Sequence, residues 1–366
     1  MADKSVSLDP ISTTKPSDSE IEFSVFGPGY GECIAIHLGH NKWMVVDSCV
    51  RPSAKVPAVL EYFDAIGVDP EKSIELIVAT HWHDDHVRGI SSILEVATGA
   101  RFCAASVFAG EEFKAIADLP PLKSKFTSGV EELSRVRKIL DARRRPPELV
   151  NAMKRILFTP SRAVTEVWAL SPSDADVLRG IDHIGSLVGG SQGGARRVPA
   201  LPPNDVSVVL LLETAAGPIL LGGDLENHRG SRDRGWLAIV DHVSRPTSQA
   251  NAFKIPHHGS GNADCSEVWE HLLTDDPLCV LSPWERSATP LPRPVDVDRI
   301  LTRTPRLFLT SDKRDIAAQQ DRSVERSIRE GTRVYRPERL RTGHVQIRSA
   351  GDGWSIRGSI EAVRCT

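Results

Sequence analysis

Ile74-Glu75-Leu76-Ile77-Val78-Ala79-Thr80-His81-Trp82-His83-Asp84-Asp85-His86 is the stretch on which the reading of this chain turns. Its first half is a short apolar run of the kind that forms a buried strand. Its second half crowds three imidazoles and two carboxylates into six residues at the strand's end. Metal binding needs such density, because imidazole nitrogens and carboxylate oxygens must converge on a cation about 2 Å away. In a tight loop His81 and His83 can face one metal while Asp85 and His86 face a second. One loop can thereby begin two sites at the spacing used by two-metal hydrolases. A polar surface loop would have no need of His-x-His-x-Asp-His at this place.

Further ligands are offered at other strand ends. Leu220-Leu221-Gly222-Gly223-Asp224 runs an apolar strand through two glycines into a carboxylate that could bridge two metals. Pro256-His257-His258-Gly259-Ser260 follows the strand Ala252–Ile255 and carries adjacent histidines for the second site. Around these, strands are expected at Ile21–Phe26, Cys33–Leu38, Trp43–Val46, Val206–Leu212 and Pro218–Leu221. A closing hairpin is expected at His344–Arg348 and Trp354–Arg357. The spacing predicts helices at Ala54–Ile66, Val130–Arg145, Glu148–Leu157 and Trp236–Val243. Two strand-rich halves, Ile21–Ala100 and Val206–Arg357, then flank a long helical stretch.

With 40% hydrophobic and 25% charged residues, the 366-residue chain has the composition of an ordinary globular protein. Its net charge of −3 gives no overall pull toward nucleic acid or membrane. No apolar run reaches the length of a membrane span, and the polar residues 1–20 read as a flexible tail without a secretory h-region. Six scattered cysteines with no C-x-x-C pair argue against a zinc ribbon or a disulfide framework, and fit a cytoplasmic setting.

The His81, His83, Asp85, His86 pattern, with Asp47 upstream and Asp224 and His257-His258 downstream, resembles the metallo-β-lactamase superfamily. Asn204-Asp205-Val206-Ser207, Leu221-Gly222-Gly223-Asp224 and Lys254-Ile255-Pro256-His257-His258-Gly259-Ser260 are similar to the hydrolase domain of ComEC-type DNA-uptake proteins and to teichoic-acid phosphorylcholine esterases. The resemblance implies an α/β fold, the αββα sandwich, as one domain over 21–366. A basic helical insertion would lie at about 110–165 and a C-terminal elaboration at about 313–342. It implies metal ligation by His81, His83, Asp85, His86, Asp224 and His258, with Asp47 orienting the ligand loop. His258 is preferred over His257 on the resemblance alone, since spacing does not separate them. Many superfamily members place a further histidine where this chain has Asn204-Asp205. The first metal would then rely on His81, His83 and Asp224, with Asp205 a substitute and His183 a structural residue.

The expected cofactors are two divalent ions, zinc ahead of manganese, and the expected chemistry is hydrolysis by a metal-bound hydroxide. Asp85 would hold metal and accept a hydrogen bond from the attacking water, and His257 would protonate a leaving group or contact a phosphate. Basic stretches at Lys123–Arg162 and Arg322–Arg341 point to a phosphate-containing substrate, nucleic acid among the candidates, and so to a phosphodiesterase or nuclease. Solvated helix faces are the plainer account of those stretches. Hydrolysis of a lactone, lactam or thioester on the same site is the nearest rival. A vestigial metal-binding regulatory module is the reading from a different class.

Overall fold

Phe23 and Val25 alternate with Glu22 and Ser24 along strand β2 (Ile21–Pro28), which sends the two sets to opposite faces of a sheet. The structure is a computed structural model and describes residues 5–28, 31–51, 56–109, 127–189, 203–284, 289–312, 342–351 and 353–366. The sheet built around β2 has eight strands among these residues. Their order is β16 (Ser355–Gly358), β15 (Thr342–Ser349), β2, β3 (Cys33–Gly39), β4 (Lys42–Asp47), β5 (Ile74–Ala79), β6 (Arg101–Ala105), β7 (Glu148–Val150). The strands from β4 to β7 are parallel neighbours. Trp43–Val46 and Leu76–Ala79 are accordingly apolar without alternation, as strands covered on both faces are.

The second sheet has nine strands among the described residues. Their order is β1 (Ser5–Ser7), β17 (Val363–Cys365), β14 (Leu307–Leu309), β13 (Leu273–Leu281), β12 (Ala250–Lys254), β11 (Ile219–Leu221), β10 (Leu210–Thr214), β9 (Val164–Ala169), β8 (Lys154–Phe158). Its alternation shows how the layers stack. Val208, Leu210, Leu212, Ile219 and Leu221 join the first sheet's Phe23, Val25, Ile34 and Ile36 in one inner core. The intervening Val209, Leu211 and Leu220 belong to a separate outer core.

Helices complete the four layers. Helix α1 (Ala58–Ala65) brings Tyr62 and Phe63 against Trp43. Short helices α2 (Pro70–Ser73) and α3 (Asp84–Val87) flank β5, and α4 (Ile90–Val96) and α5 (Thr127–Ala142) pack beside them. Glu132 of α5 accepts hydrogen bonds from the Gly89 and Ser91 amides, satisfying donors at the start of α4. After α6 (Asp174–Gly189), helices α7 (Gly235–Val240), α8 (Ser266–His271) and α9 (Pro294–Leu301) cover the outer face of the second sheet through Trp236, Val268 and Ile300. The chain is thus an αββα sandwich. No helix among the described residues is long and apolar enough to cross a membrane.

Three expectations give way. The 1–20 segment, expected as a flexible tail, supplies β1, which pairs with β17 in the second sheet. Glu148–Leu157, expected as a helix, forms β7 and β8 in different sheets, broken by a turn in which Met153 takes a φ of +61°. The central insertion is consequently helical only in part: α5 is followed by the crossing from the first sheet's edge to the second's. Of the expected 313–342 elaboration, residues 313–341 with its arginines lie outside the described residues, as do Lys123, Lys125 and most of the Gly189–Pro203 loop, while Thr342 opens β15.

Candidate metal centre

Parallel strands of both sheets end together, and the polar side chains lie in the loops beyond those ends, where α/β proteins commonly bind ligands. Asp47 closes β4, Thr80–His86 follows β5, Asp224 follows β11, and His257-His258 follows β12. The chain bends tightly to achieve this. Asp47, His257 and His258 all have positive φ, at +58°, +47° and +51°. Such strain in non-glycine residues gathers at functional sites. Gly31 takes a φ of +125°, and a Cβ there would meet the Asp85 carbonyl oxygen at 1.8 Å, so only glycine lets the β2–β3 turn lie against the ligand loop.

Two groups of potential ligands form around one shared carboxylate. Asp85, His86, Asp224 and His258 bring one donor atom each to within 4.8 Å of the others, and His81, His83 and Asp224 do the same. His258 Nε2 lies 3.3 Å from Asp85 Oδ2 and 3.8 Å from Asp224 Oδ2. His81 Nε2 and His83 Nδ1 are 3.0 Å apart. His86 Nε2 and Asp224 Oδ1 face each other at 3.3 Å, yet both are buried without a hydrogen-bond partner. Leaving such atoms unpaired is costly, and this donor set suits a divalent cation. The residues therefore fit the metals that the fold implies.

The outer contacts are made by the protein itself. Asp47 accepts from the Thr80 amide and hydroxyl at 2.7 Å each and contacts His86 Nδ1 at 2.7 Å, which leaves Nε2 directed at Asp224. His258 Nδ1 meets the Ser282 carbonyl at 2.8 Å, and the Asp224 amide donates to Ser207 Oγ at 2.9 Å. Burial alone would depress the His86 pKa, but the carboxylates of Asp224 and Asp47 outweigh it and hold the group well above its ordinary value. Asp224 is held well below the usual carboxylate range because His86 and His258 overcome its burial. Burial, then the neighbouring His86 and His83, push His81 down.

Beside the centre, His257 is part-exposed. Its Nδ1 is 3.5 Å from Glu226 Oε1, and its Nε2 is 3.4 Å from Asn204 Nδ2, which donates to Glu226 at 2.8 Å. Asp205, named from sequence as a substitute ligand, does not join either group. It binds Arg234 at 2.6 Å and His228 at 3.0 Å. His183 falls on α6, and its side chain lies outside the described residues. Sequence reading gave no role to Glu32, Thr80, Asn204, Glu226 or Lys254. Thr80 and Lys254 stood inside motifs already singled out, so adjacency to a ligand was the available signal. Among the arginines of the basic stretch, Arg135, Arg155 and Arg162 pair with Glu132, Glu166 and Glu75, and Arg143 and Arg145 donate to main-chain carbonyls.

No family model matches the chain, and no curated protein does. Several solved structures align with it. The subclass B3 metallo-β-lactamase MEM-A1, from a soil metagenome library, aligns over 73% of this chain and 84% of its own, at 14% identity and a TM-score of 0.36. The Bacillus subtilis metallo-β-lactamase-fold protein YhfI aligns over 64% and 70%, at 10% identity and a TM-score of 0.34. The hydrolase AbOPH of the β-lactamase superfamily aligns over 53% and 55%, at 17% identity and a TM-score of 0.32. None of these likenesses bears on substrate.

Proposed function

From an αββα sandwich whose strand ends gather the six histidines and aspartates of two ligand groups, we propose that this chain is a dinuclear metal hydrolase acting on a phosphodiester. The observation that carries the hydrolase reading is the Asp224 carboxylate, shared by both ligand groups, with the unpaired His86 Nε2 beside it. His81, His83 and Asp224 would hold one divalent cation, and Asp85, His86, Asp224 and His258 the other, zinc or manganese. Bound there, the cations would lower the pKa of water toward 7 and offset charge developing on the attacked group.

The chain's own residues do the rest. Asp47 and Thr80 fix the ligand loop, and Asp85, partly open to solvent, can accept a hydrogen bond from the attacking water. His257 stands at the rim of the centre with Glu226 and Asn204, placed to give a proton to a leaving oxygen or to bind a phosphoryl oxygen. That imidazole and the ComEC-like motif support phosphate. The basic stretch supports it less, because its described arginines named above are engaged within the fold.

The purified protein should contain divalent metal and cleave bis-p-nitrophenyl phosphate, with single-stranded and double-stranded DNA, RNA and a lactone panel run alongside. Asp85→Ala should lower the rate roughly 100-fold or more. Lactone cleavage without phosphodiester cleavage would replace phosphate by a carbonyl substrate. A protein with neither metal nor activity would be the vestigial regulatory module.

A further inference from the structure

A buried ion pair lies beside the centre, outside the two ligand groups that share Asp224. Lys254 Nζ is 2.5 Å from Glu32 Oε1, and both side chains are almost wholly shielded from water. Lys254 ends β12 in the second sheet, Glu32 precedes β3 in the first, and the pair joins the two sheets where the ligand loops leave them. Each partner also holds a ligand loop. Lys254 Nζ donates to the Gly223 carbonyl at 3.3 Å, one residue before Asp224, and the same carbonyl accepts from the His257 amide at 3.1 Å. The Glu32 amide donates to the Asp85 carbonyl at 2.8 Å. The Asp224 loop is thus held by the ammonium itself, the His257-His258 loop through the shared Gly223 carbonyl, and the Asp85 loop through the main chain of Glu32.

The charge arrangement is equally telling. A Glu32 oxygen lies within 4.8 Å of donor atoms from Asp47 and His86, a trio that could itself attract a cation. Here the lysine ammonium is the cation, tethered by its own chain. Burying an ion pair is expensive, and apolar replacements of similar shape often match or exceed its stability. Leucine or methionine could fill this volume, but neither could donate to Gly223 nor neutralise Glu32 under a cluster of metal ligands.

We propose that Lys254 and Glu32 are positioning residues for the metal centre, setting the approach of the Asp224, His258 and Asp85 loops and acting as a built-in third cation and its counter-ion. This inference rests on the dinuclear reading above. Its test is cobalt(II) binding to the metal-free full-length chain, followed by the visible d–d spectrum and by stoichiometry, with urea denaturation in parallel. The double variant Glu32→Gln/Lys254→Met removes both charges and keeps the volume. It should fold with a denaturation midpoint near wild type, yet bind cobalt at least about tenfold more weakly and with an altered spectrum, the size expected for loss of a contact that orients ligands. Wild-type cobalt affinity and spectrum in the double variant would overturn the inference and leave the dinuclear reading standing. A wild-type chain that binds no cobalt would overturn both. Should the double variant not fold, Glu32→Gln/Lys254→Gln removes both charges and lets the two amides hydrogen-bond to each other in place of the ion pair. It should weaken cobalt binding at least threefold, and unchanged binding would again overturn the inference.

Discussion

Two buried polar assemblies stand on the first sheet, and they are finished differently. On its outer face, Glu22 accepts from Ser24 and Tyr62 at 2.6 Å each and from Arg348 Nε at 2.7 Å. Gln346 donates to Tyr62 at 2.7 Å, and Arg348 donates to the Thr14 carbonyl at 2.5 Å. None of Glu22, Ser24, Tyr62, His344, Gln346 or Arg348 has a buried polar atom left unpaired. At the sheet's edge, by contrast, His86 Nε2 and Asp224 Oδ1 are both buried and unpaired, although Asp47 and Thr80 satisfy the atoms just behind them. The ligand cluster thus keeps two donor atoms out of hydrogen bonds and facing each other at 3.3 Å, where the outer network keeps none. His37 Nε2 and Trp43 Nε1 are buried without partners too, so what marks the metal centre is that its two open atoms sit among histidines and aspartates with converging donors.

The contrast can be broken by mutation. Removing Arg348 leaves Glu22 buried without its counter-ion, so Arg348→Met should cost about 3–5 kcal/mol in urea denaturation while metal content per chain stays at the wild-type level. A loss of metal in a folded Arg348→Met protein would mean that the two assemblies are coupled. Asp47→Asn sharpens the other side. It keeps the shape of a side chain that orients His86, and metal affinity should fall roughly 10–100-fold by competition with a chromophoric chelator. Unchanged affinity would make Asp47 as purely structural as Glu22.

What sequence could show of all this depended on how local the signal was. Asp84 to His86 with His81 and His83 announce a ligand loop because the ligands are neighbours in the chain. Asp224 and the His257-His258 pair are legible because each comes shortly after an apolar strand, while the choice of His258 within the pair rested on the resemblance. The Glu32–Lys254 pair is not legible, since its halves come from opposite sheets and only tertiary packing joins them. Glu148–Leu157 misled for a related reason. Leu149, Val150, Ile156 and Leu157 suit a helical stripe, but the open edges of both sheets offered ladder partners, with β6 pairing β7 and β9 pairing β8. Pairing with existing edges overrode intrinsic preference. The tail behaves likewise: Ser12 and Thr14 have no apolar pattern, yet Gln346 and Arg348 bind their main chain.

The mildest test of the comparison uses His344, which belongs to the completed network. Its ring stacks on Phe26 at 4.3 Å between centroids, and its Nε2 lies 2.9 Å from Ser24 Oγ. Burial, then the nearby Arg348 charge, push its pKa down to about 3 from an ordinary 6.5. The folded chain therefore keeps this imidazole neutral in a range where the unfolded chain protonates it. Its contribution to stability is unaffected above about pH 6.5 and is lost as the pH falls from there toward about 3, at no more than ~1.4 kcal/mol per pH unit. His344→Gln removes the group that must stay neutral. The stability of wild type relative to this variant should thus decline with acidification through that window and be flat above it. Denaturation at stepped pH reads that difference directly, because other titrating groups are common to both proteins. Parallel curves would mean that the folded state accepts the proton, and that the outer network is less tightly closed than its hydrogen bonds make it.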